Sequence, residues 1–287
     1  MATAASPPWD ELRANYEYDA SAPLDVREQS ATEAPTHVLH RLTFASPRGG
    51  RVPVLFAVPR QGRAPYPVLM LLHGYGGSKD DWIPLIGAIC NGGRAVIAID
   101  AVYHGDRARE GEDILSADWT SNRAAFIQTI VDLRRAVDYL ATRDDVDADR
   151  IGLLGASMGA IMGTIVAAVE PRIKCAVLAV GGGNWRVLVE KTSLGAVAAR
   201  REQLLTQWEN IEGPLAAIEP LYFAPHIAPR PVLMLNGKRD GIVVPECSQA
   251  LYDALGEPKQ IIWFDSGHGL PVLEAWATAA QWLDKHL

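Results

Sequence analysis

The chain has 287 residues, 48% of them hydrophobic, with three cysteines and a formal net charge of −7. That length can bury one large core. The acidic balance argues against nucleic-acid partners and stable association with anionic membranes, and the wide cysteine spacing argues against a disulfide framework or a CxxC metal site.

The opening MATAASPPWDELRANYEYD has neither a charged n-region nor an apolar h-region, so no signal peptide is expected. No apolar run approaches the roughly 20 residues that span a bilayer, and the expected location is cytoplasmic. Residues 1–22 are polar and proline-bearing, and read as an N-terminal arm or short helix ahead of a main domain over 23–287. LDVREQS (24–30) and HVLHRLTFAS (37–46) alternate apolar with polar, as half-buried strands do. SPRGG (46–50) signals a turn into a further strand, RVPVLFAVP (51–59). These segments predict an antiparallel edge.

The pattern then changes. PVLMLLHG (67–74), AVIAID (95–100), RIGLLGAS (150–157), IKCAVLAVG (173–181), PVLMLNGK (231–238) and QIIWFDS (260–266) are continuous apolar runs, the signature of strands buried on both faces. Helical stretches separate them, over 80–90, 120–143, 157–170, 245–255 and 273–287. The alternation predicts an α/β fold with a mostly parallel sheet and helices on both faces. The connection between 181 and 231 is too long for a loop and one helix, and about 184–226 is expected to form a small helical cap.

Gly155-Ala156-Ser157-Met158-Gly159 fits the G-x-S-x-G nucleophile elbow, with an apolar strand before it and a helix-forming run after it. Such a turn holds the serine hydroxyl above the sheet beside a helix N-terminus, which favours developing negative charge. A serine hydroxyl needs a base. His268, flanked by Gly267 and Gly269 after the last strand, is the candidate; His37 and His40 lie on early strands, His73 reads as a structural brace and His286 as solvated. The imidazole in turn needs a carboxylate. Asp240, in the turn after the next-to-last strand, fits better than Asp265, which stands three residues from His268 at a strand end. The order Ser157, Asp240, His268 is the one this architecture demands. The glycines of LLHGYGG (71–77) admit a ligand close to the backbone, and the N–H groups of Tyr75 and Met158 are the candidate oxyanion donors.

On HGYGG (73–77), GASMG (155–159), NGKRDGIVVP around Asp240 and the GHG around His268, the chain resembles the α/β-hydrolase superfamily of serine esterases from about residue 24 onward. The resemblance implies eight strands with the second antiparallel. The leading strands and DAVYHGDR (100–107) resemble the dienelactone hydrolase, acetyl xylan esterase and prolyl-oligopeptidase-like branch. Dienelactone hydrolases use a cysteine nucleophile, and position 157 is serine, so their particular chemistry is not implied. Tyr103 and His104 are candidates to line the substrate pocket; otherwise their loop is a structural bracket with Asp106 and Arg107 as an ion pair. Trp185 is a further candidate, and Trp82, Trp119, Trp208, Tyr222 and Phe223 either floor or roof the pocket or belong to ordinary packing, the reading favoured for any one of these aromatics.

The expected activity is hydrolysis of a small-molecule carboxylic ester through an acyl-enzyme, with small or short-chain acyl groups and with neither metal nor organic cofactor. The same triad also serves a peptidase, amidase, thioesterase or acyltransferase, and a non-catalytic binding protein is the remaining alternative. Nothing in the pattern sets the oligomeric state.

Overall fold

The computed structural model describes residues 7–287, so the first six residues of the expected arm lie outside the described residues. The rest of the arm contains one short helix, α1 (Trp9–Ala14), and is bound tightly to the body. The Trp9 ring stacks on His226 at 3.8 Å, Tyr16 is fully buried with its hydroxyl donating to the carbonyl of Ala217, and Arg135 donates to the carbonyls of Ala20 and Ala22.

Three strands form the antiparallel edge: β1 (Arg27–Glu33), β2 (His37–Ala45) and β3 (Arg51–Pro59). β4 (Tyr66–Leu72) follows, then α2 (Ile83–Asn91), β5 (Ala95–Ile99) and α3 (Trp119–Leu140), whose start is capped by the Asp118 carboxylate on the N–H groups of Thr120 and Ser121. β6 (Val146–Ala156) leads into α4 (Met158–Val169) and β7 (Ile173–Ala179). The long connection holds α5 (Trp185–Lys191), α6 (Gly195–Ala198), α7 (Arg201–Thr206), α8 (Trp208–Leu215) and α9 (Pro220–Phe223). β8 (Val232–Gly237), α10 (Pro245–Ala254), β9 (Lys259–Phe264) and α11 (Val272–His286) complete the chain.

Among the described residues there is one sheet, ordered β1-β2-β3-β5-β4-β6-β7-β8-β9. β3 pairs antiparallel with both β2 and β5, and every pair from β5 to β9 is parallel. The sheet therefore has nine strands where the resemblance implied eight. The addition is β1, REQSATE, exposed along its whole length. It has no apolar face to bury and joins through main-chain pairing with β2, while its charges discourage further strand addition.

Alternation along the central strands feeds two apolar layers. Val68, Met70 and Leu72 of β4 share one apolar layer with α3 and α4; Leu69 and Leu71 share the other with α2 and α11. The residues of α5 to α8 form a separate apolar cluster around Val189, Val197, Trp208 and Ile211. No helix among the described residues is long and apolar enough to cross a membrane.

Candidate active site

β6 ends in a turn that forces Ser157 to φ 56°, a region costly for a residue with a side chain. The neighbouring glycines explain why the turn closes. A Cβ on Gly155 would strike the backbone of Gly159, and a Cβ on Gly159 would strike the carbonyl of Leu72 at the end of β4. Ser157 stands at the N-cap of α4, where a serine ordinarily turns its hydroxyl onto the helix N–H groups. It makes no such bond. Its Oγ instead lies 2.9 Å from Nε2 of His268.

His268 Nδ1 lies 2.7 Å from Oδ2 of Asp240. A carboxylate oxygen only accepts, so Nδ1 carries the proton and Nε2 is left to accept from Ser157. Asp240 is held from behind: its Oδ1 accepts from the N–H groups of Ile242 at 2.8 Å and Val243 at 3.0 Å. Its side chain is 2% exposed, against 24% for His268. The carboxylate is thus sheltered while the imidazole is partly exposed. Asp265 points outward and pairs with Arg239 at the surface.

The loop after β4 passes beside the serine. A Cβ on Gly74 would sit 3.5 Å from the Ser157 Cβ. Met158 is the first residue of α4, so its N–H has no carbonyl one turn back within the helix. The N–H of Ser157 is already used, donating to Ala179 at 2.8 Å. The Tyr75 hydroxyl donates to Asp113 Oδ2 at 2.6 Å, and burial together with this bond pushes its pKa up to about 12. Asp113 belongs to the loop that carries Ile114 and Leu115.

A bracket lies behind that loop. Lys79 Nζ contacts the carboxylates of Asp100 and Asp106, each at 2.8 Å, with Lys79 and Asp100 almost fully buried. Burial alone would lower the Lys79 pKa; the two carboxylate hydrogen bonds win and raise it. Asp100 also accepts from the N–H groups of Lys79 and Asp106. His73 donates from Nδ1 to the Gly74 carbonyl and accepts at Nε2 from the Ala101 N–H, which fixes its neutral tautomer; burial lowers its pKa accordingly. The ends of β4 and β5 are thereby tied together.

A cavity opens at Ser157, lined by Tyr75 and Met158, by Ile161 and Phe126 below and by α5 to α8 above. Its internal volume is about 130 Å³. Trp185, Trp119 and Trp208 are in its wall. Trp185 is held there by its indole N–H on the carbonyl of Ile218 at 2.9 Å and its backbone N–H on Glu219 at 2.8 Å. Glu219 is buried, and that burial raises its pKa against the backbone N–H groups it accepts from.

Neither Tyr103 nor His104 lines this cavity, which corrects the placement expected from the sequence. Tyr103 faces a separate cleft with Arg107 and Gln128, and His104 is buried behind Tyr75, its ring edge-on at 5.7 Å. Asp106 and Arg107 are not an ion pair either: Asp106 meets Lys79 and Arg107 meets Asp132. Trp82 packs with the layer under α2, Phe223 against Trp9 and Tyr16, and Tyr222 beside a groove behind the cavity. The sequence reading missed Lys79, Asp100, Asp113 and Glu219. A lone acid between apolar residues, as in Ile218-Glu219-Pro220-Leu221, was the available sign for the last.

Two family models match the chain: the prolyl oligopeptidase family over residues 96–287 and the acetyl xylan esterase (AXE1) family over residues 8–181. The chain belongs to this branch of the α/β-hydrolases. The chain is also similar to Esterase YjfP of Escherichia coli K12, 28% identical over 194 residues, covering 67% of this chain and 76% of that protein. Among solved structures, the acetyl xylan esterase from Paenibacillus sp. R4 superposes with a TM-score of 0.79 at 23% identity, covering 97% of this chain and 93% of the other. Acetyl xylan esterase 1 from Thermoanaerobacterium sp. JW/SL YS485 gives 0.79 at 19% identity, covering 97% and 99%. Those two likenesses speak for the hydrolase fold.

Proposed function

We propose that this α/β-hydrolase is a serine carboxylesterase with Ser157 as nucleophile, His268 as general base and acid, and Asp240 as the carboxylate that orients the imidazole. The observation that carries this reading is the unbroken series Asp240 Oδ2, His268 Nδ1, His268 Nε2, Ser157 Oγ, with spacings of 2.7 and 2.9 Å, ending on a serine in the wall of a cavity.

In this mechanism His268 Nε2 takes the hydroxyl proton as Ser157 Oγ bonds to the ester carbonyl carbon. The imidazolium is stabilised by Asp240, which stays ionised. The tetrahedral oxyanion is received by the N–H groups of Tyr75 and Met158; losing one such donor typically costs about 2.7–4 kcal/mol in the transition state. Collapse breaks the bond to the alcohol oxygen, which leaves with the proton from His268. Water then attacks the acyl-enzyme, with His268 again as base, and releases the acid and the free serine.

The test compares turnover of p-nitrophenyl acetate by the wild type and by Ser157→Ala. Loss of turnover in the variant is expected; equal rates contradict the reading. The prolyl oligopeptidase match favours a second reading, amide hydrolysis by the same three residues. Side-by-side rates on matched p-nitrophenyl esters and p-nitroanilides decide between them. A cytoplasmic location belongs to the same proposal, supported by three free, buried cysteines that suit a reducing compartment.

A further inference from the structure

The walls of the cavity at Ser157 say more about the substrate than the triad does. They are built mainly from aliphatic and aromatic side chains on several different elements, among them Phe126 of α3, Ile161 of α4, Trp185 of α5, Val197 of α6, and Trp208 and Ile211 of α8. Phe126 and Trp185 meet edge to face at 6.0 Å, so floor and roof touch at one end. The cluster that gives α5 to α8 their cohesion contains largely the same residues that face the empty space.

Most of the polar side chains in that wall already hold bonds to protein. Ser116 Oγ donates to Asn122 Oδ1 at 2.8 Å, and Asn122 Nδ2 donates back to the Ser116 carbonyl at 2.9 Å. Thr192 Oγ1 accepts from the Leu194 N–H at 3.1 Å. Arg200 donates to the carbonyls of Ala196 and Leu115, and the Tyr75 hydroxyl to Asp113. Trp208 Nε1 is buried without a partner among the described residues, a single donor. A sugar seated here would leave most of its hydroxyls unpaired against an apolar wall, which opposes binding strongly. An alkyl or aryl group has no polar atoms to strand, and it removes apolar wall from water.

We infer that the site takes carboxylic esters bearing an extended apolar chain or aryl group, and not acetylated sugars or small acyl esters alone. This rests on the esterase reading above, and it departs from the small or short-chain acyl groups expected from the sequence. The shared chemistry is an apolar extension of the ester; it can stand on the acyl or on the alcohol side.

Two substrate series separate these cases: p-nitrophenyl esters from acetate to octanoate, and acetates from ethyl to octyl. A buried methylene is worth about fourfold in kcat/KM, so even half of the added methylenes give about a 60-fold rise along one series. A rise along the first places the chain on the acyl side; a rise along the second places it on the alcohol side. Val197→Trp and Ile211→Trp, which fill the cavity from the roof, are expected to cut the octanoate-to-acetate ratio at least about tenfold; an unchanged ratio in folded variants contradicts the inference. The wild-type series carries the test if either variant does not fold. Flat or falling kcat/KM in both series, with Ser157-dependent acetate turnover intact, overturns the inference and leaves the esterase reading standing. Absence of Ser157-dependent turnover of any ester overturns both.

Discussion

Asp240 divides its two carboxylate oxygens: Oδ2 holds His268 Nδ1 at 2.7 Å, and Oδ1 holds the N–H groups of Ile242 and Val243. Asparagine at this position has one accepting oxygen. Kept on the two amides, it turns its NH₂ toward His268 and forces the proton onto Nε2, where it faces Ser157. Asp240→Asn is therefore expected to fold normally and to lose about 10⁴-fold in kcat. Thermal midpoint and steady-state rates check this; a variant within tenfold of the wild type contradicts the assignment of Asp240.

Lys79 and Asp100 are the buried pair behind the Tyr75 loop. Lys79→Met leaves the Asp100 carboxylate without its cation and is expected to cost about 3–5 kcal/mol in urea unfolding. Adding Asp100→Asn removes the stranded charge, so the double variant is expected to recover part of that loss. A single variant within about 1 kcal/mol of the wild type shows the pair to be dispensable.

Gly159 packs against β4 with no room for a side chain. The Cβ of an alanine would stand 2.7 Å from the His73 carbonyl oxygen and closer still to that of Leu72. Gly159→Ala is expected to lose more than about 2 kcal/mol of stability. It is also expected to lower kcat, because the displaced segment runs into the Tyr75 loop. A variant with wild-type melting and turnover contradicts this packing.

Burial pushes the thiols of Cys90, Cys175 and Cys247 up to about 12. At pH 8 they are protonated and enclosed, so a disulfide thiol reagent is expected to leave them and the activity untouched until denaturant is added. The sign for stability follows. The unfolded thiols ionise near pH 8.5 while the folded ones do not, so their contribution is intact below about pH 8.5 and is lost as pH rises toward about 12. Rapid modification of the native protein contradicts the burial.

The elements that carry the candidate residues Ser157, Asp240 and His268 were legible because their signals are local. An apolar run, a glycine pair around a serine and turn residues after late strands each announce themselves in a few adjacent residues. The added strand β1 lies over 27–33 and not 24–30, because the alternation of Leu24 and Val26 that marks the segment stands just ahead of a strand that is itself polar and exposed. What stayed hidden depends on pairing across the fold. Lys79 finds Asp100 and Asp106 only once β4 and β5 lie side by side, and Tyr75 finds Asp113 across two loops. Tyr103 and His104 were misplaced for the same reason: their loop leaves the correct end of β5 but turns under Tyr75 and away from the cavity.

The central claim is that the 157 hydroxyl forms a covalent acyl-enzyme with help from His268. Intact-mass spectrometry after treatment with a fluorophosphonate, followed by peptide mapping, tests it most directly. The expected result is one adduct per chain, on Ser157, formed in step with loss of ester turnover and strongly slowed in Asp240→Asn. Full turnover with Ser157 modified, or an adduct elsewhere that accounts for the inactivation, would contradict it.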